Sequence, residues 1–223
     1  MIIPISYPLS TKSPLYLGTP EITIVQDKSM DSGDSANTTV ISMSSHAGTH
    51  VDVPRHFCRN GLSVLDVFQR VNTFSRTYCI DLPMKSDSGI MADDIIEKIA
   101  DKEAAEALLI RTGSWQLRTT NPRSYTVAHP WVHAGVARLL RKKCPHLRLL
   151  GIDTISISTQ LYPEEGRESH RAFLCDKDPI YLLEDADLSL VHSKDRFILT
   201  VIPWMIEDLD GVPVTAFLMN DSP

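Results

Sequence analysis

The chain has 223 residues, a net charge of −6, 43% hydrophobic and 22% charged residues. That length and balance suit one large soluble domain, 1–223, with its own core. They exclude a membrane-crossing helix, since no apolar run reaches the ~20 residues needed. They also exclude a nucleic-acid surface, because the only basic patch is Arg138, Arg141, Lys142 and Lys143, which reads as the solvated end of a helix.

In chain order, the opening MIIPISYPLS has no basic stretch and is broken by proline, against a signal peptide. Strands are expected at 21–25 (EITIV) and 38–43 (TTVISM), with the polar segment 27–37 as a loop between them. A short helix is expected over 63–70 and a strand over 77–82. A second helix covers 91–100, capped by Asp93 or Asp94, with Ile95, Ile96 and Ile99 on one face. Strands follow at 107–112 and 147–153, on either side of a helix over 130–143 that opens on Pro130 and repeats Val132, Val136, Leu139 and Leu140. The last strands are 179–183, 196–202 and 213–219. Strands outnumber helices but alternate with them, which makes the class α/β, or α+β with a mixed sheet. Cys58, Cys79, Cys144 and Cys175 are widely spaced with no C-x-x-C pair. No disulfide framework is expected, and the compartment reads as cytoplasmic.

The chemistry concentrates in SSHAGTHVDVPRHF, which carries His46, His50, Asp52 and His56, all at even positions. In an extended chain alternate side chains share a face, so the four can converge. A helix would align His46 with His50 but turn Asp52 away. Gly48 and Pro54 also disfavour a helix, while Thr49, Val51 and Val53 suit a strand. A straight strand would hold His46 and His50 about 13 Å apart at the backbone, whereas ligand nitrogens lie about 2.1 Å from a zinc ion. Gly48 is therefore expected to kink the segment and Pro54 to stiffen the approach to His56. The competing reading is four unrelated polar residues on a solvent-facing strand.

One strand supplies too few groups for a closed site. His170, opening HRAFL after the polar loop YPEEGRES, and Glu184, ending the apolar run IYLLE, are the candidate partners, with Asp153 a third. A carboxylate ending an apolar strand calls for a partner if buried, and imidazole with carboxylate suits zinc or manganese. Each also has a plainer reading: Glu184 exposed, His170 at the surface, Asp153 in a turn. No G-x-S-x-G elbow or H-E-x-x-H helix is present. Cys58 as a nucleophile would leave His46, His50 and Asp52 without a use.

The run His46-Ala-Gly-Thr-His50-Val-Asp52-Val-Pro54-Arg-His56-Phe57 resembles the H-x-G-T-H-x-D-x-P-x-H-F signature of the cyclase family of metal-dependent hydrolases, which includes bacterial kynurenine formamidase and isatin hydrolase. ISYPLS, LLIRTGSW (108–115), LLGIDTISI (149–157), HRAFL and IYLLEDADL (180–188) resemble further family segments. The resemblance implies metal ligands at His46, His50, Asp52, His170 and Glu184, and a catalytic histidine at His56. It also implies one or two zinc or manganese ions, a barrel-like mixed sheet flanked by helices, and a homodimer or homotetramer. Two departures stand out. CDKDP (175–179) is about two residues longer than expected, and Leu-Glu-Asp replaces Leu-Glu-Asn. The expected reaction is metal-assisted hydrolysis of an amide, formamide or lactam C–N bond in a small aromatic substrate, with His56 as general acid and base. Trp115, and then Tyr125 or Trp131, are candidates for the apolar wall of the substrate site, although for any one of them a place in the core is the favoured reading. The alternatives are a cyclase or lyase using the same metal, and a non-catalytic metal-binding module.

Overall fold

All eight predicted strands form, and four short ones join them. The computed structural model describes residues 1–69, 72–192 and 196–220. The strands are β1 (Ile2–Pro4), β2 (Thr23–Lys28), β3 (Thr38–Ser42), β4 (His50–Asp52), β5 (Thr73–Asp81), β6 (Gly89–Ile90), β7 (Ala107–Arg111), β8 (Trp131–Val132), β9 (Leu149–Ile152), β10 (Tyr181–Glu184), β11 (Arg196–Pro203) and β12 (Gly211–Asn220). The helices are α1 (Val64–Phe68), α2 (Ala92–Ile95), α3 (Trp115–Thr120), α4 (Pro122–Val127), α5 (Gly135–Lys143) and α6 (Pro163–Leu174).

Seven strands close into a mixed barrel in the order β12-β11-β5-β7-β9-β10-β4, with β4 pairing back onto β12. The run β5-β7-β9-β10 is parallel and the other pairings are antiparallel. β1 continues the sheet along the far half of β12. Leu109, Leu149, Leu183, Val51, Phe197 and Leu199 pack with the cluster that fills the barrel. Leu108, Ile110, Leu150 and Leu182 face the other way, against Ile95, Val136, Leu140 and Phe173 of the helices. Strands covered on both faces have no polar side to show, hence the unbroken apolar run at 107–110.

Helices match the sequence less closely. The helix expected over 130–143 begins only at Gly135, because Trp131 and Val132 pair with Gly89 and Ile90 as a short parallel ribbon. The 91–100 helix is a single turn, α2, followed by turns. The 63–70 helix is α1, capped by Ser63, whose hydroxyl accepts from the Asp66 N–H; residue 70 lies outside the described residues. YPEEGRES, read as a loop, is the start of α6. Pro163 opens that helix, with Glu164 and Glu165 in its first turn where the dipole favours acids.

The cysteine reading needs correction too. Cys58 and Cys175 form a disulfide with Cα atoms 5.5 Å apart, while Cys79 and Cys144 are free and buried. A gap of 117 residues carries no sign of that proximity. It arises because the turn after β4 packs against the end of α6. Outside the barrel, β2 and β3 form a separate ribbon in which Ile24 faces Ile41 and Val25 faces Val40, all exposed. Among the described residues no helix is long and apolar enough to cross a membrane.

Candidate metal centre

Gly48 adopts φ +67°, and a Cβ there would lie 2.4 Å from Leu9 Cδ2. Glycine takes this φ without strain, and any larger residue would also have to displace the Leu9 side chain. The kink brings the His46 and His50 rings to 5.2 Å between centroids, where a straight strand would hold the two backbone positions about 13 Å apart. His46 Nδ1 then lies 2.8 Å from Asp52 Oδ1. Convergence is achieved differently from simple alternation, however. Only His50–Asp52 is strand; His46 stands in the preceding turn, and His56 ends a 3-10 turn begun by Pro54.

The remote partners come from two neighbouring elements. Glu184 pairs directly with His50 across β10 and β4. Since Val51 and Leu183 point into the barrel, His50, Asp52 and Glu184 point outward, towards α6. His170, on α6, meets them there. His50 Nδ1 donates to the Gly48 carbonyl at 2.8 Å and His170 Nδ1 to the Gly166 carbonyl at 2.9 Å. Both Nε2 atoms are thereby turned onto carboxylates. His50 Nε2 is 3.4 Å from Asp52 Oδ1 and 3.5 Å from Glu184 Oε2. His170 Nε2 is 3.5 Å from Glu184 Oε1 and 3.7 Å from Asp52 Oδ2. Glu184 Oε1 also accepts from the Ile157 N–H at 2.7 Å. Asp52 Oδ2 is buried with no hydrogen-bond partner among the described residues.

The donor set fits a divalent cation. With neutral imidazoles, two buried carboxylates and two nitrogen lone pairs face one another, an arrangement that needs positive charge between them. Ligand atoms of His50, Asp52 and Glu184 lie within 4.8 Å of one another, and so do those of His46, Asp52 and His56, with Asp52 common to both groups. Protons feel the same field. Burial opposes charging of His170, but Asp52 and Glu184 outweigh it and raise its pKa to about 10. His46 also rises to about 10, burial being overcome by Asp52 and Asp210. Glu184 falls to about 2: burial and Asp52 push it up, but hydrogen bonds from His170 and His50 prevail.

Asp153 does not join the site. Its buried carboxylate accepts from the Thr112 N–H and hydroxyl at 2.8 and 2.7 Å and from the Gly113 N–H at 2.9 Å, tying β9 to the end of β7. Trp115 is also placed elsewhere. Gly113, at φ +90°, turns the chain away after β7, and Trp115 lines a separate cavity with Arg111, Leu117 and Pro130. Tyr125 is buried, donating its hydroxyl to Asp185 Oδ1 at 2.5 Å. Trp131 is buried beside His133 and Tyr162. Cys58 is held in the disulfide and offers no thiol.

The cleft over the histidines has a volume of about 450 Å3, and its walls include Tyr16, Phe57, Ile155 and Arg167. Phe57 stacks on His170 at 4.6 Å, and Ser158 Oγ donates to the Tyr16 oxygen at 3.0 Å. Sequence reasoning missed Tyr16 and Asp210. Tyr16 sits in an irregular loop without periodicity, and Asp210 in DLDG, which reads as a turn. Asp210 Oδ2 lies 3.0 Å from both His46 Nε2 and His56 Nδ1, and these two contacts hold its carboxyl well below the usual range. Asp185, the residue after Glu184, takes the Arg118 guanidinium at 2.8 and 2.9 Å, and that guanidinium lies 3.7 Å from the centre of the Tyr7 ring.

Residues 3–159 match the family described as Putative cyclase, and the chain belongs to that family. It is 32% identical over 216 residues to the kynurenine formamidase of Bacillus thuringiensis subsp. konkukian, covering 97% of this chain and 96% of that protein. Isatin hydrolase A from Labrenzia aggregata, bound to benzyl benzoate, superimposes with a TM-score of 0.79 at 18% identity, over 98% of this chain and 93% of that one. A structure described as a potential metal-dependent hydrolase with cyclase activity gives 0.77 at 21% identity, over 100% and 99%. The last two show that the closed mixed barrel with flanking helices is a shared fold.

Proposed function

We propose that this chain is a metal-dependent hydrolase that cleaves an amide, formamide or lactam C–N bond in a small aromatic substrate. The observation that carries this reading is the pair of imidazole Nε2 atoms fixed by backbone carbonyls so that they face Asp52 and Glu184. The relation to kynurenine formamidase supports the bond type. When bound, zinc or manganese would lower the pKa of water and polarise the substrate carbonyl. His46, His50, Asp52, His170 and Glu184 would hold one or two ions, with Asp52 shared. His56 is only partly buried and lines the cleft, with Nδ1 engaged by Asp210. Its Nε2 is left to take a proton from the attacking water and return one to the departing nitrogen. Tyr16 and Phe57 take the role of apolar wall first assigned to Trp115, since they border this cleft.

The same reading includes a homodimer or homotetramer, supported by the exposed apolar pairs Ile24–Ile41 and Val25–Val40, which a second copy would cover. The deciding experiment measures metal content and turnover of N-formylated aromatic amines by wild type and His56→Ala. Wild type is expected to carry zinc or manganese and to hydrolyse. His56→Ala is expected to keep the metal and lose ~10²–10⁴-fold in kcat. Metal lost together with His56 would make that residue a ligand, as its closeness to His46 and Asp52 allows. Product formed in heavy-oxygen water without label in the new carboxylate would make the enzyme a cyclase or lyase.

A further inference from the structure

One carboxylate oxygen serves two imidazoles in this site. Asp210 Oδ2 is 3.0 Å from His46 Nε2 and 3.0 Å from His56 Nδ1, and the two rings lie 4.1 Å apart at an angle of 31°. An ionised carboxylate only accepts hydrogen bonds, so each nitrogen facing it must carry the proton. His46 is then protonated on Nε2; its Nδ1, 2.8 Å from Asp52 Oδ1, holds a second proton in metal-free protein and presents a lone pair only when a cation seated on Asp52 takes that proton's place. His56 carries its Nδ1 proton towards Asp210, so in the neutral ring Nε2 is the nitrogen with the lone pair. We infer that Asp210 is a positioning residue that fixes both tautomers at once, making His46 a ligand through Nδ1 and His56 a base through Nε2. The inference rests on the hydrolase reading for the role of His56 and on bound metal for the His46 tautomer, while the contacts of Asp210 with both rings stand without either.

The backbone supports the placement. The Val53 N–H donates to the Asp210 carbonyl at 3.2 Å, and the next residue, Gly211, pairs with Asp52 in the sheet. A Cβ at Gly211 would lie 2.5 Å from His46 Cε1 and 3.0 Å from Asp52 Oδ1, so glycine lets the ring lie flat against β12. Ser45 Oγ donates to Asp210 Oδ1 at 3.4 Å. Asp210 is therefore anchored by the same barrel closure that anchors Asp52, and the two carboxylates flank the His46 ring from opposite nitrogens. A carboxylate behind a metal-binding histidine orients the ring and raises its basicity; here the same atom also reaches the acid–base histidine.

The test compares wild type with Asp210→Asn and Asp210→Glu. Side-chain 15N–1H NMR of the zinc-loaded protein reads the histidine tautomers without any substrate, a chelating dye measures zinc affinity, and turnover of an N-formylated aromatic amine gives kcat and KM. Wild type is expected to show His46 protonated on Nε2 and His56 on Nδ1. Asp210→Asn keeps one acceptor oxygen but removes the negative charge and puts an NH2 donor beside it, so the two ring protons are no longer held by a carboxylate. It is expected to scramble these signatures, weaken zinc binding ~10–100-fold, and lower kcat at saturating zinc with KM little changed; Asp210→Glu should restore part of each. Unchanged tautomers in Asp210→Asn overturn the inference, and so does full recovery of kcat by excess zinc, which would leave His56 outside its reach. If wild type hydrolyses nothing, the hydrolase reading fails, while the NMR and zinc measurements still decide what Asp210 does.

Discussion

Reducing the Cys58–Cys175 bridge should cost this protein much of its stability. The bridge closes a loop of 117 residues, more than half the chain. The loop-closure relation gives ~5 kcal/mol for such a span, against ~2–4 kcal/mol for typical disulfides. With a urea dependence of about 3 kcal/mol per molar, the unfolding midpoint should fall by ~1–2 M on reduction. Two measurements check this. Of four cysteines, only Cys79 and Cys144 are free, so protein denatured without reductant should titrate two thiols, and reduced protein four. Urea unfolding with and without reductant, and of Cys58→Ser, should give the same drop. Four thiols in the unreduced denatured protein, or coincident midpoints, would refute the reasoning. The outcome also bears on compartment. The cytoplasmic reading rested on expecting no disulfide, and a glutathione-buffered cytosol would hold this pair as thiols.

Three further outcomes follow from the buried charges and the exposed ribbon. In metal-free protein, Glu184 has its pKa lowered from 4.5 to about 2, so its contribution is present above 4.5 and lost as pH falls towards 2. His170 has its pKa raised from 6.5 to about 10, so its contribution is present below 6.5 and lost as pH rises towards 10. Thermal unfolding of chelated protein should therefore peak between those windows, and zinc should stabilise more as pH rises and imidazole protons leave; a chelated protein more stable at pH 9 than at pH 5.5 would contradict this. Asp185→Asn leaves the buried Arg118 guanidinium without its charge partner and should cost ~3–5 kcal/mol. A double-mutant cycle with Arg118→Met checks it, and additive losses would show no coupling. Ile24→Asp with Ile41→Asp should reduce the mass measured by light scattering to that of one chain; an unchanged oligomer, or a wild-type monomer, would remove the ribbon from the interface.

What the sequence encodes locally was legible. The strands announce themselves through β-branched and apolar runs, and Gly48 through the impossibility of folding His46 onto His50 without it. α6 was read as a loop because its first turns are polar and contain Gly166, a poor helix residue. The fold uses that glycine for clearance: a Cβ there would lie 2.6 Å from Ser158 Cβ. The polarity is that of a helix whose outer face meets solvent while Ser169, His170 and Phe173 turn inward. Asp210 and the disulfide belong to a different class of information. Both exist because chain segments more than a hundred residues apart are brought side by side, β4 against β12 and the turn after β4 against the end of α6. Local pattern is silent about such pairings. Glu184 stands in register with His50 because β10 is fixed by its ladders to β9 and β4. CDKDP, the segment between α6 and β10 that begins with Cys175, lies outside those ladders. The ladders of the closed barrel, rather than the connecting segment, thus set where Glu184 stands.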